Sequence, residues 1–108
     1  MTRVLTTGVY DLFHVGHLRS LQKASTMGDY LIVGVVPDEL AASYKRPPVI
    51  PFDQRWEIVE HIACVDEVIV DECIYPVEFY QRHRIDITAK AVKFRDTTFM
   101  PWLVSREY

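Results

Sequence analysis

The run DYLIVGVV, Asp29–Val36, constrains this chain more than any other stretch. It is almost continuously apolar. A strand with one wet face alternates apolar and polar residues, whereas a strand without alternation is covered on both faces, as in the centre of a parallel sheet. Parallel strands need long crossovers, usually helical. The rest of the sequence supplies them. TRVLTT, Thr2–Thr7, is short and rich in β-branched residues and stops at Gly8, which predicts a buried strand. His17–Met27 reads as a helix with Leu18, Leu21 and Ala24 on one face and Gly28 as its stop. Pro37 and Asp38 end the apolar run, and Ala41–Pro51 reads as a loop. Asp53–Cys64 reads as a second helix, with Pro51 and Asp53 suited to its start. Its Trp56, Val59 and Ala63 face inward, and Glu57 and Glu60 face outward. DEVIV, Asp66–Val70, is a third strand, Pro76–His83 a weaker helix, and RIDITAKAV holds a fourth strand. KFRDTTFMPWLVSREY has no clean period and takes no assignment. Strands alternating with helices predict one α/β domain over residues 1–108. It is a Rossmann-like, doubly wound parallel sheet of four or so strands, shortened at the C-terminus.

Composition narrows the function classes. With 108 residues, 49% hydrophobic and 25% charged, the chain suits one globular core. A formal net charge of -3 gives no reason to expect a nucleic-acid partner, so any anion site must be a local device. Cys64 and Cys73 are too few for a disulfide framework or a zinc site and read as reduced thiols of a cytoplasmic protein. Arg3 is followed by a short apolar run that ends at Gly8, which does not read as a signal peptide, and no run is long enough to span a bilayer.

The stretch TTGVYDLFHVGHLRSL, Thr6–Leu21, carries the chemistry. In parallel α/β sheets ligands bind beyond the carboxyl ends of the strands, which is where this stretch falls. Gly8 would let the backbone turn tightly, and Gly16 would let it approach a ligand closely. A helix starting at His17 would offer unpaired N–H groups to a phosphate. His14 and His17 would add two side-chain donors, in whichever tautomer they adopt. Asp11 is placed to hold the turn or to stand near a metal. A helix-capping pair of histidines or a stray match to the pattern are the alternatives.

GVYDLFHVGHL resembles the signature of the H-x-G-H nucleotidyltransferase superfamily. GDYLIVGVVPDE, KRPPVIPFDQR and VDEVIV follow in the order and spacing of its cytidylyltransferase family. The resemblance covers residues 3 to about 71 and is closest to the compact bacterial glycerol-3-phosphate cytidylyltransferases, beside the phosphoethanolamine and phosphocholine enzymes. It implies that a phosphorylated alcohol, glycerol 3-phosphate first, attacks the α-phosphorus of CTP in line and releases pyrophosphate. Mg2+ would accompany the triphosphate, and no covalent enzyme intermediate is implied. A shortened sheet would expose an edge strand that a second chain could cover, which predicts a homodimer, as the resemblance also implies; no membrane insertion is expected.

By the same resemblance, His14, His17, Lys45 and Arg55 would serve catalysis, and Gly8, Val9, Tyr10, Asp11, His14, Gly16, His17, Arg46 and Arg55 would bind the nucleotide. Arg55 would clamp phosphate oxygens with its planar fork. Lys45 matches the loop lysine of the choline and ethanolamine enzymes, and Arg46 a loop lysine of the glycerol type.

The match also breaks in places. Val9 stands where the bacterial family usually has Thr. RIDITAKAVKFRDTT lacks the family's G-D-D-like block, and no R-T-x-G-I-S-T-T segment follows before Tyr108. Two rivals to cytidylyl transfer therefore stand: an adenylyltransferase of the FAD synthetase-like kind, and a non-catalytic nucleotide-binding remnant or half-site. Asp66 and Glu67 read as the entrance of a strand, His61 and His83 have no visible chemical partner, and Tyr75, Phe79 and Tyr80 read as packing.

Overall fold

The computed structural model of the chain describes residues 1–71, 77–90 and 104–107. Their elements run β1 (Arg3–Gly8), α1 (Val15–Ser25), β2 (Tyr30–Val35), α2 (Asp38–Tyr44), α3 (Phe52–Glu60), β3 (Glu67–Val70), α4 (Val77–His83), β4 (Ile87–Lys90) and β5 (Val104–Glu107). All pairings between strands are parallel, and the strand order is β3-β2-β1-β4-β5. This is the Rossmann-like α/β fold that the alternation predicts, with a fifth strand beyond the four.

β1 and β2 form the centre. Their register pairs Arg3 with Tyr30 and runs to Gly8 with Val35. Because successive side chains alternate across a strand, β2 feeds both cores. Leu31, Val33 and Val35 join Val4, Leu21, Ala24 and Val59, the face covered by α1 and α3. Ile32 joins Leu5, Tyr80 and Ile85 on the opposite face, under α4. An unbroken apolar strand is thus explained by burial on both sides. Burial of apolar surface, at about 25 cal/mol per Å², drives both layers onto the sheet. Phe79 and Tyr80 pack in the second core, as expected.

The chain first winds outward from β1 to β2 and β3, then returns past β1 to β4 and β5. The reversal puts a topological switch point beside β1, and the β1–α1 connection opens over it.

The differences from expectation have local causes. The segment expected as a loop from Ala41 begins inside α2, a helix of 7 residues that buries Ala41. Pro37 stops β2, yet it also serves as the N-cap of α2, with Asp38 and Glu39 in the first turn. α3 ends at Glu60 with His61 as its C-cap, so Ala63 lies outside it and is exposed. The buried residues of α3 are Arg55 and Val59. Gly28 has no positive φ; it is needed for space, since a Cβ there would lie 2.7 Å from the Thr2 carbonyl oxygen. Cys64 carries a free thiol. Cys73, Tyr75 and the stretch 91–103 lie outside the described residues. Among the described residues, no helix is long and apolar enough to cross a membrane.

Candidate nucleotide site

The site is built on the connection between β1 and α1. α1 starts at Val15, two residues earlier than expected, because His14 is its N-cap. The Nδ1 of His14 accepts the Gly16 N–H at 2.9 Å. The Nδ1 of His17 accepts the N–H of His14 at 3.1 Å. The two rings thereby close a reciprocal capping box of the kind usually made by Ser or Thr with Glu or Gln.

This geometry fixes a tautomer. A backbone N–H can only donate, so each Nδ1 must carry a lone pair. With Nδ1 accepting, the ring proton belongs on Nε2. His14 is exposed, and its ring centroid lies 4.2 Å from that of His17. His17 is further held by Phe13, stacked at 5.2 Å, and by the edge of Tyr10 at 5.8 Å. The two imidazoles therefore stand side by side at the carboxyl end of the central strand.

The glycines act differently from expectation. A Cβ on Gly16 would lie 2.6 Å from Cε1 and 2.9 Å from Nδ1 of His14, so the group that approaches its backbone is the protein's own imidazole. A Cβ on Gly8 would meet the Tyr10 ring at 3.0–3.3 Å. Gly8 also has no positive φ; the tight turn falls on Tyr10 (φ 56°) and Leu12 (φ 50°). Tyr10 is buried, so its ring supports His17 from the core side.

Asp11 lies between those two left-handed residues. Its Oδ2 accepts the Val49 N–H at 2.9 Å and its Oδ1 the Ile50 N–H at 2.8 Å. Desolvation works against the charged carboxylate, but the N–H groups of Val49, Ile50 and Leu12 and the Arg55 charge together outweigh it. The carboxyl is held below the ordinary aspartate range.

Arg55 departs furthest from expectation. Its guanidinium is buried rather than turned to the site opening. Nε donates to the Ile50 carbonyl at 2.9 Å, and Nη1 donates to the carbonyls of Val9 and Val36 at 2.7 Å each. Nη2 donates to Asp38 Oδ1 at 2.5 Å. The fork that was expected on phosphate is occupied by the backbone of three site segments and one carboxylate. Lys45 and Arg46 are exposed at the end of α2, and Lys45 Nζ lies 5.8 Å from the Tyr44 ring centroid.

Asp38 was read from the sequence only as the end of the apolar run, although an acid just past the carboxyl end of a central strand was a usable signal. It also accepts the Phe52 N–H at 3.3 Å, at the start of α3. Away from the site, Asp66 accepts the Leu31 N–H, and Glu67 accepts the Tyr30 hydroxyl. Both are structural. His83 Nδ1 stands 4.0 Å from Glu67.

A parallel 3-2-1-4-5 sheet with two imidazoles paired beside its switch point defines the class of Rossmann-like α/β domains. Comparison with known proteins narrows it. Residues 5–103 match the family described as Cytidylyltransferase-like, and the chain belongs to that family. It is 40% identical over 94 residues to the probable ethanolamine-phosphate cytidylyltransferase of Encephalitozoon cuniculi, covering 86% of this chain and 29% of the relative. It is 42% identical over 91 residues to human choline-phosphate cytidylyltransferase A, covering 81% and 24%. It is 36% identical over 99 residues to the bifunctional protein HldE of Syntrophotalea carbinolica, covering 90% and 20%. The chain thus spans less than a third of the length of these relatives. The crystal structure of the lipopolysaccharide core biosynthesis protein from Thermoplasma volcanium superposes with a TM-score of 0.82 at 23% identity. It covers 99% of this chain and 95% of its own, and it shares the fold.

Proposed function

We propose that the chain transfers CMP from CTP to a small phosphorylated alcohol. An oxygen of the acceptor phosphate bonds to the α-phosphorus, the bond from that phosphorus to the bridging oxygen breaks, and pyrophosphate leaves. The observation that carries the reading is the histidine capping box, which fixes the imidazoles of His14 and His17 side by side at the carboxyl end of β1, each with its Nδ1 engaged by a backbone N–H. Such preset donors stabilise charge that develops on phosphate oxygens without reorganising during the reaction. Lys45 and Arg46 supply positive charge from the neighbouring loop. Positioning and charge stabilisation account for the catalysis, and no covalent enzyme intermediate forms.

Mg2+ accompanies the triphosphate in this proposal. Both Asp11 oxygens already accept N–H groups, and among the described residues no three His, Cys, Asp or Glu side chains gather to hold a metal. The described residues do not form a cage for the ion, so triphosphate oxygens and water would be its ligands there. For the acceptor we favour glycerol 3-phosphate, from the resemblance of the sequence blocks. Two of the relatives are named as ethanolamine-phosphate and choline-phosphate cytidylyltransferases. The proposal extends to a cytoplasmic homodimer, in which a second copy covers the edge strand β3, where Val70 is 45% exposed.

The test is calorimetric titration with CTP and with ATP in the presence of Mg2+, followed by pyrophosphate release with the three acceptors. Binding of CTP, release with one acceptor and loss of release in His17→Ala support the reading. Preference for ATP would overturn the cytidylyl assignment, and binding without release would mark a half-site. Full activity in His17→Ala would remove the role of the histidine pair. A monomer in sedimentation at micromolar concentration would refute the dimer.

A further inference from the structure

The segment Pro47–Pro48–Val49–Ile50–Pro51 has only two backbone N–H groups, because proline has none. Both go to one side chain: Val49 N–H to Asp11 Oδ2 and Ile50 N–H to Asp11 Oδ1. The Ile50 carbonyl on the other side accepts from Arg55 Nε at 2.9 Å. The same guanidinium donates to the Val9 carbonyl, two residues before Asp11. Val49–Ile50 is therefore gripped from both sides by residues that also fix the β1–α1 connection.

We propose that Asp11 and Arg55 are positioning residues, forming a clamp on the Val49–Ile50 peptide that sets Lys45 and Arg46 against the histidine pair. The inference rests on the cytidylyl-transfer reading for its kinetic consequence and on the hydrogen bonds alone for its structural one. The link from clamp to cations is stiff. Pro47 and Pro48 lock their own φ, and each restricts the residue before it, so consecutive prolines act as a semi-rigid spacer. At the other end Asp11 stands three residues before His14, between Tyr10 and Leu12, which hold positive φ. Non-glycine residues adopt that conformation at a cost and persist where the surroundings over-determine them. The clamp supplies that over-determination. Asp11 then acts through the loop, with both oxygens engaged, and Arg55 acts through the carbonyls of Val9, Val36 and Ile50.

The test is a double-mutant cycle between Asp11→Asn and Lys45→Ala, read as kcat and KM for pyrophosphate release and accompanied by amide hydrogen exchange. Asparagine keeps one acceptor oxygen and turns an NH2 group toward the second N–H, so the clamp opens with little change in volume. Misplacement by about 1 Å can cost about a hundredfold in rate. Each single variant should therefore lose on the order of tenfold to a hundredfold in kcat, and the double variant no more than about threefold beyond the worse single, because coupled residues are not additive. Multiplying losses would overturn the proposal. In exchange, the Val49 and Ile50 amides should be protected in the wild type and fast in Asp11→Asn, with β1 and β2 unchanged. Protection that survives the substitution would also overturn it. A third variant, Pro47→Gly with Pro48→Gly, should keep those amides protected and still lose kcat; wild-type turnover there would refute transmission along the loop. A wild-type protein that releases no pyrophosphate would sink the functional reading, and the exchange result would then decide the clamp.

Discussion

Arg55 Nη2 meets Asp38 Oδ1 at 2.5 Å from inside the core: the arginine side chain is fully buried, while 46% of the aspartate side chain stays exposed. The pair is asymmetric, and its two halves should not cost the same. Breaking a buried ion pair costs about 3–5 kcal/mol when it strands a charge. Arg55→Ala removes that charge but leaves the carbonyls of Val9, Val36 and Ile50 without their partner, at about 1–3 kcal/mol for each one that stays dry. A domain of this size has about 5–15 kcal/mol in total, so Arg55→Ala should be barely folded. Asp38→Ala strands a guanidinium that water can reach from the exposed side, and about 2 kcal/mol is expected. Urea denaturation of both variants checks the order; equal midpoints would contradict it.

Capping and donation by His14 can be separated. Asparagine is a good N-cap and alanine a poor one, a difference of about 1 kcal/mol. His14→Asn should melt near the wild type, and His14→Ala a few degrees lower. Neither retains an Nε2–H, so both should lose pyrophosphate release by on the order of a hundredfold or more. An active His14→Asn enzyme would mean that the ring matters only as a cap.

Gly16→Ala tests the space beneath the ring. Alanine in place of glycine normally favours a helix by about 1 kcal/mol. Here the new Cβ would lie 2.6 Å from the His14 ring, which is exposed and can swing away. Stability should change by less than about 1 kcal/mol, while turnover falls as in His14→Ala. Long-range nitrogen–proton NMR should show both rings as Nε2–H tautomers in the wild type and only His17 so fixed in the variant.

Acid should open the loop before it unfolds the domain. The Asp11 carboxyl is held below its ordinary value, so its contribution is complete above the unfolded-state pKa of about 4 and is lost as pH falls through the folded value. The Val49 and Ile50 amide shifts should titrate in that acid window. The stability gap between wild type and Asp11→Asn should close there, and a gap that persists unchanged to lower pH would argue against the assignment.

Much of this fold is legible in the residues because burial writes itself as hydrophobic pattern. Asp29–Val36 is apolar since both faces of β2 are covered, and Leu21 and Ala24 recur at helical spacing since α1 buries one stripe. What was missed depends on partners distant in sequence. VSRE, the β5 sequence, has no apolar run, and its strand exists through its pairing with Ile87–Lys90. Arg55 reads as a phosphate clamp until Val9, Val36, Asp38 and Ile50 are seen around it. The histidine pair was legible as a site, and its capping role stood in the sequence only as an alternative, since histidine lies outside the usual N-cap set.

The capping box also decides when the site comes into being. α1 cannot close its first turn without bringing the two imidazoles together, and the imidazoles lose their alignment when that turn frays. Maturation of the site and initiation of the helix are one event. An anion bound at the imidazole pair would act as a splint on the start of α1, and warming that frays this turn would part the pair before the sheet behind it gives way.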